Sequence, residues 1–539
     1  MPDKMVAFKN FTGGWNTDKT PQNLAENELE LADNVDFSER GGLRKRDGVS
    51  NYSNSYGQQI ERIFEWSKNN GNQELMAVLE DGSLVRNSTE ETIFQLFGTH
   101  IDWFVLKNYL YIVDGNNYYR IDDETFNYEP VPEKDTSGLK EYEQKFEANL
   151  GQSFNLEYDE IKSGSVTVTL YSDPETEFDE TTDYTINYDD GEITPLSDGN
   201  MEDRENYYIE YTYNVPSDND LSPIRKCKYI IRHNKSYRIF AAGNPDDPSA
   251  IYYSEYNDPQ YFKSYSVLYP TTNDGPVQGI TVLDDMLLVF YQNSIWAWRG
   301  IDPATDAVWE KIPIKHGIYN HRTLETTQGA LTFLDTSGIY TLNSSKGLSN
   351  ITYNKVMNEI KNINNKTEVN SIYDSSNNRY MLAYSNTEGR NDKILVYDWQ
   401  LDAFSRWTGL QANDFCYTKD GKLLMASDNY IKELNQNNRN NNVDMHVKFR
   451  KTILDNPYLY KLINNLFITV SNYNDDTKAI IHIDNNEISY NITSEKTRHK
   501  VKDKGVNIQV EFQDNSTFDI VLFDYGLEFK PVRTYREEL

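Results

Sequence analysis

Cysteine is nearly absent from this 539-residue chain, which contains only Cys227 and Cys416. Neither has a second cysteine at the spacing of a zinc ligand, and two residues cannot form a disulfide framework. A disulfide between them is conceivable, but two separate buried thiols are the better interpretation for a reducing compartment. The chain is therefore expected to fold without covalent cross-links.

Long apolar runs are also missing. No run approaches the roughly 20 residues that span a bilayer, and the first residues, Met1-Pro2-Asp3-Lys4, lack the apolar core of a signal peptide. We therefore expect a soluble protein that is made in the cytoplasm and has no membrane partner.

Basic charge is scarce, and its scarcity is uneven. The chain has 53 basic and 84 acidic residues, a net charge of −31. Between Glu141 and Ser222 there are 22 acidic residues against three basic ones, a net charge of −19. Tight nucleic-acid binding depends on neutralising phosphates, so it is excluded as a main function. An acidic wall that repels passing DNA is compatible with this composition.

Aromatic residues are abundant instead, at 13% of the chain, with 40 Tyr and 23 Phe but only 9 Met. This balance favours sheets over helical bundles. Short apolar runs recur on both sides of tight turns, which is a strong hairpin signal. The turns are Asp81-Gly82, Asp114-Gly115, Asp335 to Gly338, and Asp420-Gly421.

These hairpins recur with a period of about 40 to 50 residues, which is typical of propeller blades. Units begin near Ile60, Ile101, Lys228, Gly279, Leu324, Ser371 and Asn413. The sequence predicts an all-β protein with a β-propeller of six to eight blades, formed by residues 51–136 and 221–435. The long step between the second and third units predicts an inserted, acidic β-domain at 137–220.

From about Asp444 the strands become longer, which predicts a C-terminal β-sandwich at 443–539. A polar, Asn-rich linker at 435–442 precedes it. Few helices are expected. Asn27 and Glu30 have the spacing of a capping box, which predicts a helix of two turns in the N-terminal segment 1–50. A second helix is expected within Tyr353 to Ile363. The N-terminal segment is expected to pack on its own body or on a neighbouring subunit.

The N-terminal segment also carries a family resemblance. It contains Gly13-Gly14, then Pro21-x-x-Leu24, then Ala32-x-Asn34-Val35, and finally Gly41-x-Leu43-Arg44-x-Arg46-x-Gly48. This pattern resembles phage tail proteins, above all the nozzle, hub or DNA-stabilisation proteins of short-tailed phages.

The resemblance implies a structural virion protein of the tail, made in the bacterial host cytoplasm. It implies a homo-oligomeric ring, expected to be a hexamer, that closes the tail channel, retains packaged DNA and lets it pass during ejection. Expected partners are a tail adaptor or another tail ring protein, and a tail fibre or needle. Genomic DNA would be near without specific binding. The alternative in this class is a neck or stopper ring near the portal.

Two groups of residues are candidates for the assembly interface. The N-terminal group follows the resemblance and consists of Gly13, Gly14, Pro21, Leu24, Asn34, Arg44, Arg46 and Gly48. The second group is a basic loop from Lys496 to Lys504, because positive charge in an acidic chain would attract an acidic neighbour. Its candidates are Lys496, Arg498 and Lys500.

Enzyme motifs are missing. There is no phosphate-binding loop, no Gly-x-Ser-x-Gly and no His-Glu-x-x-His, and the seven histidines are scattered. Carboxylates at 173–180 lack the order of a calcium loop and indicate a solvated acidic loop. We expect no catalytic, cofactor or metal site. The alternative from another class is a carbohydrate-binding propeller, either receptor-binding or a glycosidase, in which Arg232, Arg238 and Arg299 would cluster.

Overall fold

The computed structural model of the chain describes residues 3–38, 40–215, 217–364, 366–436, 442–454 and 456–532. Residues 437–441 of the predicted polar linker lie outside this part. The chain divides into two compact units. The first contains Met1–Val131, Ser222–Asn257 and Val267–Leu539, and the second contains Pro132–Leu221 and Asp258–Ser266. The second unit therefore includes a short segment, 258–266, outside the predicted insert.

The N-terminal segment forms strands. They are β1 (Lys4–Phe8), β2 (Gly14–Trp15), β3 (Glu28–Asp33), β4 (Val35–Phe37), β5 (Leu43–Lys45) and β6 (Gly48–Asn51). The prediction of a helix beginning at Asn27 is wrong, because those residues form β3. A two-turn helix is marginal by itself, whereas β3 has strand partners on both sides.

The propeller begins with two four-stranded antiparallel sheets. Blade 1 contains β7 (Ile60–Ser67), β8 (Gln73–Leu79), β9 (Ser83–Arg86) and β10 (Glu91–Gln95). Blade 2 contains β11 (Asp102–Leu106), β12 (Tyr109–Val113), β13 (Tyr118–Asp122) and β14 (Tyr128–Pro130). Asp-Gly turns join strands in both blades, as the sequence predicts.

The inserted unit follows blade 2 and has two sheets around a core of its own, which includes Phe146, Ile193, Tyr207 and Ile209. The sheet orders are β15-β21-β17-β18 and β16-β20-β19. The strands are β15 (Gly138–Glu147), β16 (Phe154–Asn155), β17 (Thr167–Leu170), β18 (Asp173–Phe178), β19 (Tyr184–Asn187), β20 (Glu192–Pro195) and β21 (Asn206–Val215). The predicted acidic loop at 173–180 is largely β18.

Blades 3 to 5 follow a short helix, α1 (Ser222–Arg225). Blade 3 contains β22 (Tyr229–His233), β23 (Arg238–Asn244), β24 (Asp247–Tyr253) and β25 (Val267–Leu268). Blade 4 contains β26 (Gly279–Leu283), β27 (Met286–Phe290), β28 (Ile295–Trp298) and β29 (Glu310–Lys311). A 3-10 turn (His321–Thr323) leads into blade 5, which contains β30 (Glu325–Thr327), β31 (Ala330–Asp335), β32 (Gly338–Asn343) and β33 (Leu348–Asn350).

Blades 6 and 7 complete the propeller. Helix α2 (Met357–Lys361) lies inside the helical stretch predicted at 353–363. Blade 6 contains β34 (Asn370–Asp374), β35 (Arg379–Tyr384), β36 (Lys393–Asp398) and β37 (Ala403–Thr408). Blade 7 contains β38 (Asp414–Tyr417), β39 (Leu423–Ser427) and β40 (Tyr430–Gln436), and its fourth strand is β6 from the N-terminal segment. The seven blades begin within one residue of the seven predicted unit starts.

The C-terminal region is a β-sandwich, as predicted. Its strands are β41 (Val443–Phe449), β42 (Tyr460–Ser471), β43 (Lys478–Ile483), β44 (Asn486–Asn491), β45 (Lys496–Gly505), β46 (Ile508–Ser516) and β47 (Val521–Val532). One sheet has the order β4-β5-β47-β42-β45, and β1 also pairs with β47. The other sheet continues β3-β41-β46-β43-β44. Strands β1, β3, β4 and β5 of the N-terminal segment are therefore part of this sandwich, and β2 pairs with β3.

Strand β3 joins the sandwich to the propeller. On one side it pairs with β41, and on the other Asp33 pairs with Arg406 of β37, the last strand of blade 6. One continuous ten-stranded sheet results. Leu29 and Ala32 of β3 are fully buried in a core that also contains Phe404, Val447 and Phe512. The N-terminal segment is therefore an integral part of the folded body.

The two cysteines are not cross-linked. Cys227 and Cys416 are separate, buried thiols, as the sequence indicates. In the described ranges, no helix has both the length and the apolar character needed to cross a bilayer.

Candidate functional site

Charged residues meet at the centre of the propeller, on the first strands of the blades. These strands contact one another around the centre: β38 contacts β7 and β34, β34 contacts β30, and β22 contacts β11 and β26. The charged residues are Arg62 on β7, Asp102 on β11, Glu325 on β30 and Asp414 on β38, together with His321 and Arg322 of the 3-10 turn.

Asp414 connects three parts of this centre. Its Oδ2 accepts hydrogen bonds from Arg62 Nε at 3.0 Å and from the backbone N–H of Ile63 at 3.0 Å. Its Oδ1 accepts one from Arg322 at 3.0 Å. The three charged side chains are only 10 to 12% exposed. Both carboxylate oxygens are thus engaged in holding blades 1, 5 and 7 together.

Asp102 and His321 form a second contact. Asp102 Oδ2 accepts a hydrogen bond from the backbone N–H of Ile230 at 2.9 Å and lies 3.5 Å from His321 Nε2. Burial lowers the pKa of His321, although the charge of Asp102 opposes this shift. The ring is therefore neutral at physiological pH, and its Nδ1 is buried without a hydrogen-bond partner.

Glu325 is held protonated. Burial, helped by the nearby negative charge of Asp414, raises the pKa of Glu325 to about 8. At neutral pH its carboxyl group is therefore mostly a neutral acid, which can donate a hydrogen bond.

A cavity of about 720 Å³ opens onto these residues and is also lined by Phe64, Trp103 and Tyr417. This volume suits a small molecule. A smaller cavity of about 290 Å³ lies beside it, lined by His100, Lys228 and Tyr319 among others. Across the described ranges, no group of three or more His, Cys, Asp or Glu side chains is placed to hold a metal ion.

Sequence reasoning missed this centre, although a signal existed. Asp102, Glu325 and Asp414 each directly follow the first residue of a predicted unit. A charged residue at the same position of several repeats indicates side chains that converge on the propeller axis. The ion pairs themselves join residues up to 352 positions apart and have no local pattern.

The N-terminal candidates lie inside the chain's own fold. Gly14, Leu24, Asn34, Arg46 and Gly48 are buried, while Gly13, Pro21 and Arg44 are partly exposed. Gly14 has φ of +72°, and a Cβ atom there would lie 2.8 Å from Phe404 N of blade 6. This close approach requires glycine. The buried candidates are thus unable to face a second subunit, and the prediction that they form an assembly interface is corrected to a role in the chain's own packing.

The side chain of Asn34 takes part in four hydrogen bonds within this packing. It is 1% exposed and has φ of 57°, a conformation that asparagine tolerates. Its Nδ2 donates to Thr408 Oγ1 and to Asp444 O, each at 2.8 Å. Its Oδ1 accepts from Arg46 Nε at 2.7 Å and from Thr408 N at 2.9 Å. One side chain therefore connects the N-terminal segment, blade 6 and the sandwich.

The N-terminal positive charges have partners within the chain. Arg46 is 4% exposed and lies over the Trp407 ring at 5.6 Å. Arg44 binds Asp47 at 2.7 Å and Asp519 at 3.1 Å. Lys45 and Asp514 form a fully buried ion pair. Removing either member of the Lys45–Asp514 pair would leave an uncompensated buried charge and destabilise the body.

The basic candidates are differently placed. Lys496, Arg498 and Lys500 are exposed, and they lie on strand β45 rather than in a loop. This correction matters because a strand presents alternate side chains on one face. Of the predicted candidates, these three remain accessible to a partner.

We expect Asn34→Ala to lower the free energy of unfolding by about 3 kcal/mol, because several buried groups lose their hydrogen-bond partners. The measurement is urea unfolding followed by tryptophan fluorescence, which reports the first unit since all eight tryptophans lie there. The matched control is Asn472→Ala, at an exposed position with φ of 55°, where a loss within about 1 kcal/mol is expected. Equal losses in the two variants would contradict the role given to Asn34.

We expect Glu325→Gln to change how stability depends on pH. The ordinary pKa of this group is 4.5 and burial raises it to about 8, so the folded chain retains a proton that the unfolded chain releases. The wild-type protein should therefore lose stability relative to Glu325→Gln as the pH rises from about 5 to 8, by at most about 1.4 kcal/mol per pH unit. Urea midpoints at several pH values measure this. The exposed control Glu124→Gln should follow the wild type, and parallel curves for all three proteins would contradict the assignment.

Comparison with known proteins gives little beyond these observations. No family model matches the chain, and no curated protein is significantly similar to it in sequence. Among solved structures, the N-terminal domain of Nup159 matches with a TM-score of 0.34 and 8% identity, over 75% of this chain and 98% of that one.

Proposed function

We propose that the protein is a structural virion protein that assembles as a ring in the tail of a short-tailed phage. In this role it is a nozzle or hub subunit that closes the tail channel, retains packaged DNA and lets it pass during ejection. Its partners are further copies of itself, a tail adaptor or another tail ring protein, and a tail fibre or needle.

The observation that carries this proposal is the shared role of the residues in the N-terminal motif. Gly14, Asn34 and Arg46 all lie where β3 joins blade 6 to the sandwich. The motif residues therefore act together at one junction of the fold, which makes their match to the phage tail pattern more than a chance similarity of sequence. It makes a propeller and a sandwich share one sheet, which suits a component that must keep its shape under load.

The centre of the propeller is not the proposed path of the DNA. Arg62, Arg322 and Asp414 bridge blades across it, and the cavity of about 720 Å³ has the size of a small-molecule site, far too small for a DNA duplex. In the proposed assembly, DNA passes through the opening enclosed by the ring of subunits. The net charge of −31 favours passage without adhesion.

A neck or stopper ring near the portal is the alternative within this class. It would use the same fold and the same ring symmetry. Labelling the protein in intact particles and locating the label by electron microscopy separates the two positions.

A carbohydrate-binding propeller is the second candidate, favoured by the cavity at the propeller centre. Trp103 and Phe64 offer aromatic rings there, stacked with centroids 4.2 Å apart, and protonated Glu325 could serve as a general acid. Against a glycosidase, both oxygens of Asp414 are engaged by Arg62 and Arg322. Arg238, one of the three arginines considered for such an enzyme, binds Asp302 at 2.9 Å and Glu255 at 3.3 Å.

The purified protein tests the choice between classes. We expect analytical ultracentrifugation to show a closed oligomer of about six copies at physiological salt, and negative-stain microscopy to show rings with an open centre. A glycan array should show no binding. A protein that stays monomeric at every concentration and binds a defined glycan would overturn the proposal and favour the second candidate.

A further inference from the structure

A row of positive charge lies along one edge of the sandwich. Strand β45 is at the end of its sheet and pairs with β42, while no described strand pairs with its other side. Its exposed residues alternate along the strand and are all basic: Lys496, Arg498, Lys500, Lys502 and Lys504. We call this set the basic row.

Register shows that most of the basic row lies on one face. Lys496, Arg498 and Lys500 are opposite Thr469, Phe467 and Asn465 of β42. A bulge follows, and Lys504 is opposite Leu462. Arg498 is 60% exposed and lies 3.6 Å from Glu528. In a chain of net charge −31, five basic side chains on one strand are a local exception.

A row of negative charge lies along an edge of the inserted unit. Strand β15 is at the end of its sheet and pairs with β21. Its exposed alternating positions include Glu141, Glu143 and Glu147, and Glu210 of β21 is exposed directly opposite Glu143. We call these four residues the acidic row. Lys145 is the basic residue within it, and its ammonium lies 3.7 Å from the Tyr171 ring centroid.

The two strands match in length, since β15 and β45 both contain ten residues. Alternate residues of any strand recur about every 6.6 Å, so Glu141 and Glu143 have the spacing of neighbouring residues in the basic row. Lys145 interrupts the acidic positions of β15 before Glu147. Each strand also has backbone N–H and C=O groups on its outer side, which an additional strand could bind.

We propose that the basic row of one copy docks on the acidic row of a second copy, with β45 and β15 side by side. This inference rests on the proposed ring, since it names the two surfaces that join neighbouring subunits. The contact uses two different surfaces, so it leaves one of each free on every dimer. Such a contact repeats from subunit to subunit and closes into a ring when the rotation allows.

Charge complementarity identifies a second copy as the occupant. The inserted region has a net charge of −19 between Glu141 and Ser222, so it offers an acidic surface to the basic strand of another copy. A different use of the basic row is to keep an exposed edge from pairing at all, because lysines on edge strands commonly do so. The experiment below separates these two uses.

Charge reversal on both rows is the test. The basic-row variant is Lys496→Glu with Arg498→Glu and Lys500→Glu, and the acidic-row variant is Glu141→Lys with Glu143→Lys and Glu210→Lys. The control reverses three exposed lysines on other elements, Lys107, Lys361 and Lys419, to glutamate. Analytical ultracentrifugation at 50 mM and 500 mM NaCl measures self-association, and near-UV circular dichroism verifies the fold of each protein.

The wild type and the control should associate equally and should weaken at high salt, where exposed ion pairs are screened. Each row variant alone should associate at least tenfold more weakly. In an equimolar mixture of the two row variants, every contact between unlike variants joins an acidic row to a basic row, so association should be regained with the two variants alternating. A chain with both rows reversed should recover association, which misfolding cannot explain.

The experiment distinguishes a failure of the proposed strand pairing from a failure of the proposed ring. If the wild type forms rings and neither row variant weakens them, the pairing is wrong while the ring stands, and the basic row only protects an edge. If the double reversal does not recover association, the pairing is likewise overturned. If the wild type stays monomeric under all conditions, the proposed ring itself fails.

Discussion

One short strand near the start of the chain holds the first unit together. Strand β3 (Glu28–Asp33) lies between the last strand of blade 6 and the first strand of the sandwich, with Asp33 of β3 bound to Arg406 through two hydrogen bonds of 2.8 Å. Asn34, directly after it, fastens the same three elements with its side chain. Strand β6, a few residues later, supplies the outer strand of blade 7. Because the N-terminal segment enters three sheets, the propeller and sandwich depend on residues far away in the sequence.

This dependence explains which features of the fold were predictable. Blades are local hairpins whose Asp-Gly turns and apolar runs are visible in sequence, so all seven units were located within one residue of their first strands. The N-terminal segment is the opposite case. Glu28–Asp33 contains residues that a capping rule assigns to a helix, but its partners Arg406 and Val447 are more than 370 residues away. Local propensity is overridden when a strand gains partners on both sides.

The candidate sites divide in the same way. Lys496, Arg498 and Lys500 were identified by charge contrast alone, although the strand that aligns them was read as a loop. The centre of the propeller was missed because Arg62, Arg322 and Asp414 come from separate repeats and meet only when the propeller closes. Arg44 and Arg46 were correctly singled out as unusual positive charges, but their partners Asp519 and Asn34 belong to the same chain, and only Arg46 is part of the interior packing. A basic residue that stands out in an acidic sequence therefore marks a position with a specific structural role. Its charge alone does not show whether it lies at the surface or in the core.

The N-terminal segment belongs to the fold of each subunit, and we propose that subunits join through the charged edges of β45 and β15. Hydrogen–deuterium exchange of the unassembled protein in 500 mM NaCl and of the assembled protein in 50 mM NaCl tests it directly. Peptides covering 28–37 should exchange slowly in both states, whereas peptides covering 138–147 and 496–505 should gain protection on assembly at the amides of their outer edges. Protection that appears on assembly in 28–37, with none gained in the two edge strands, would contradict the claim.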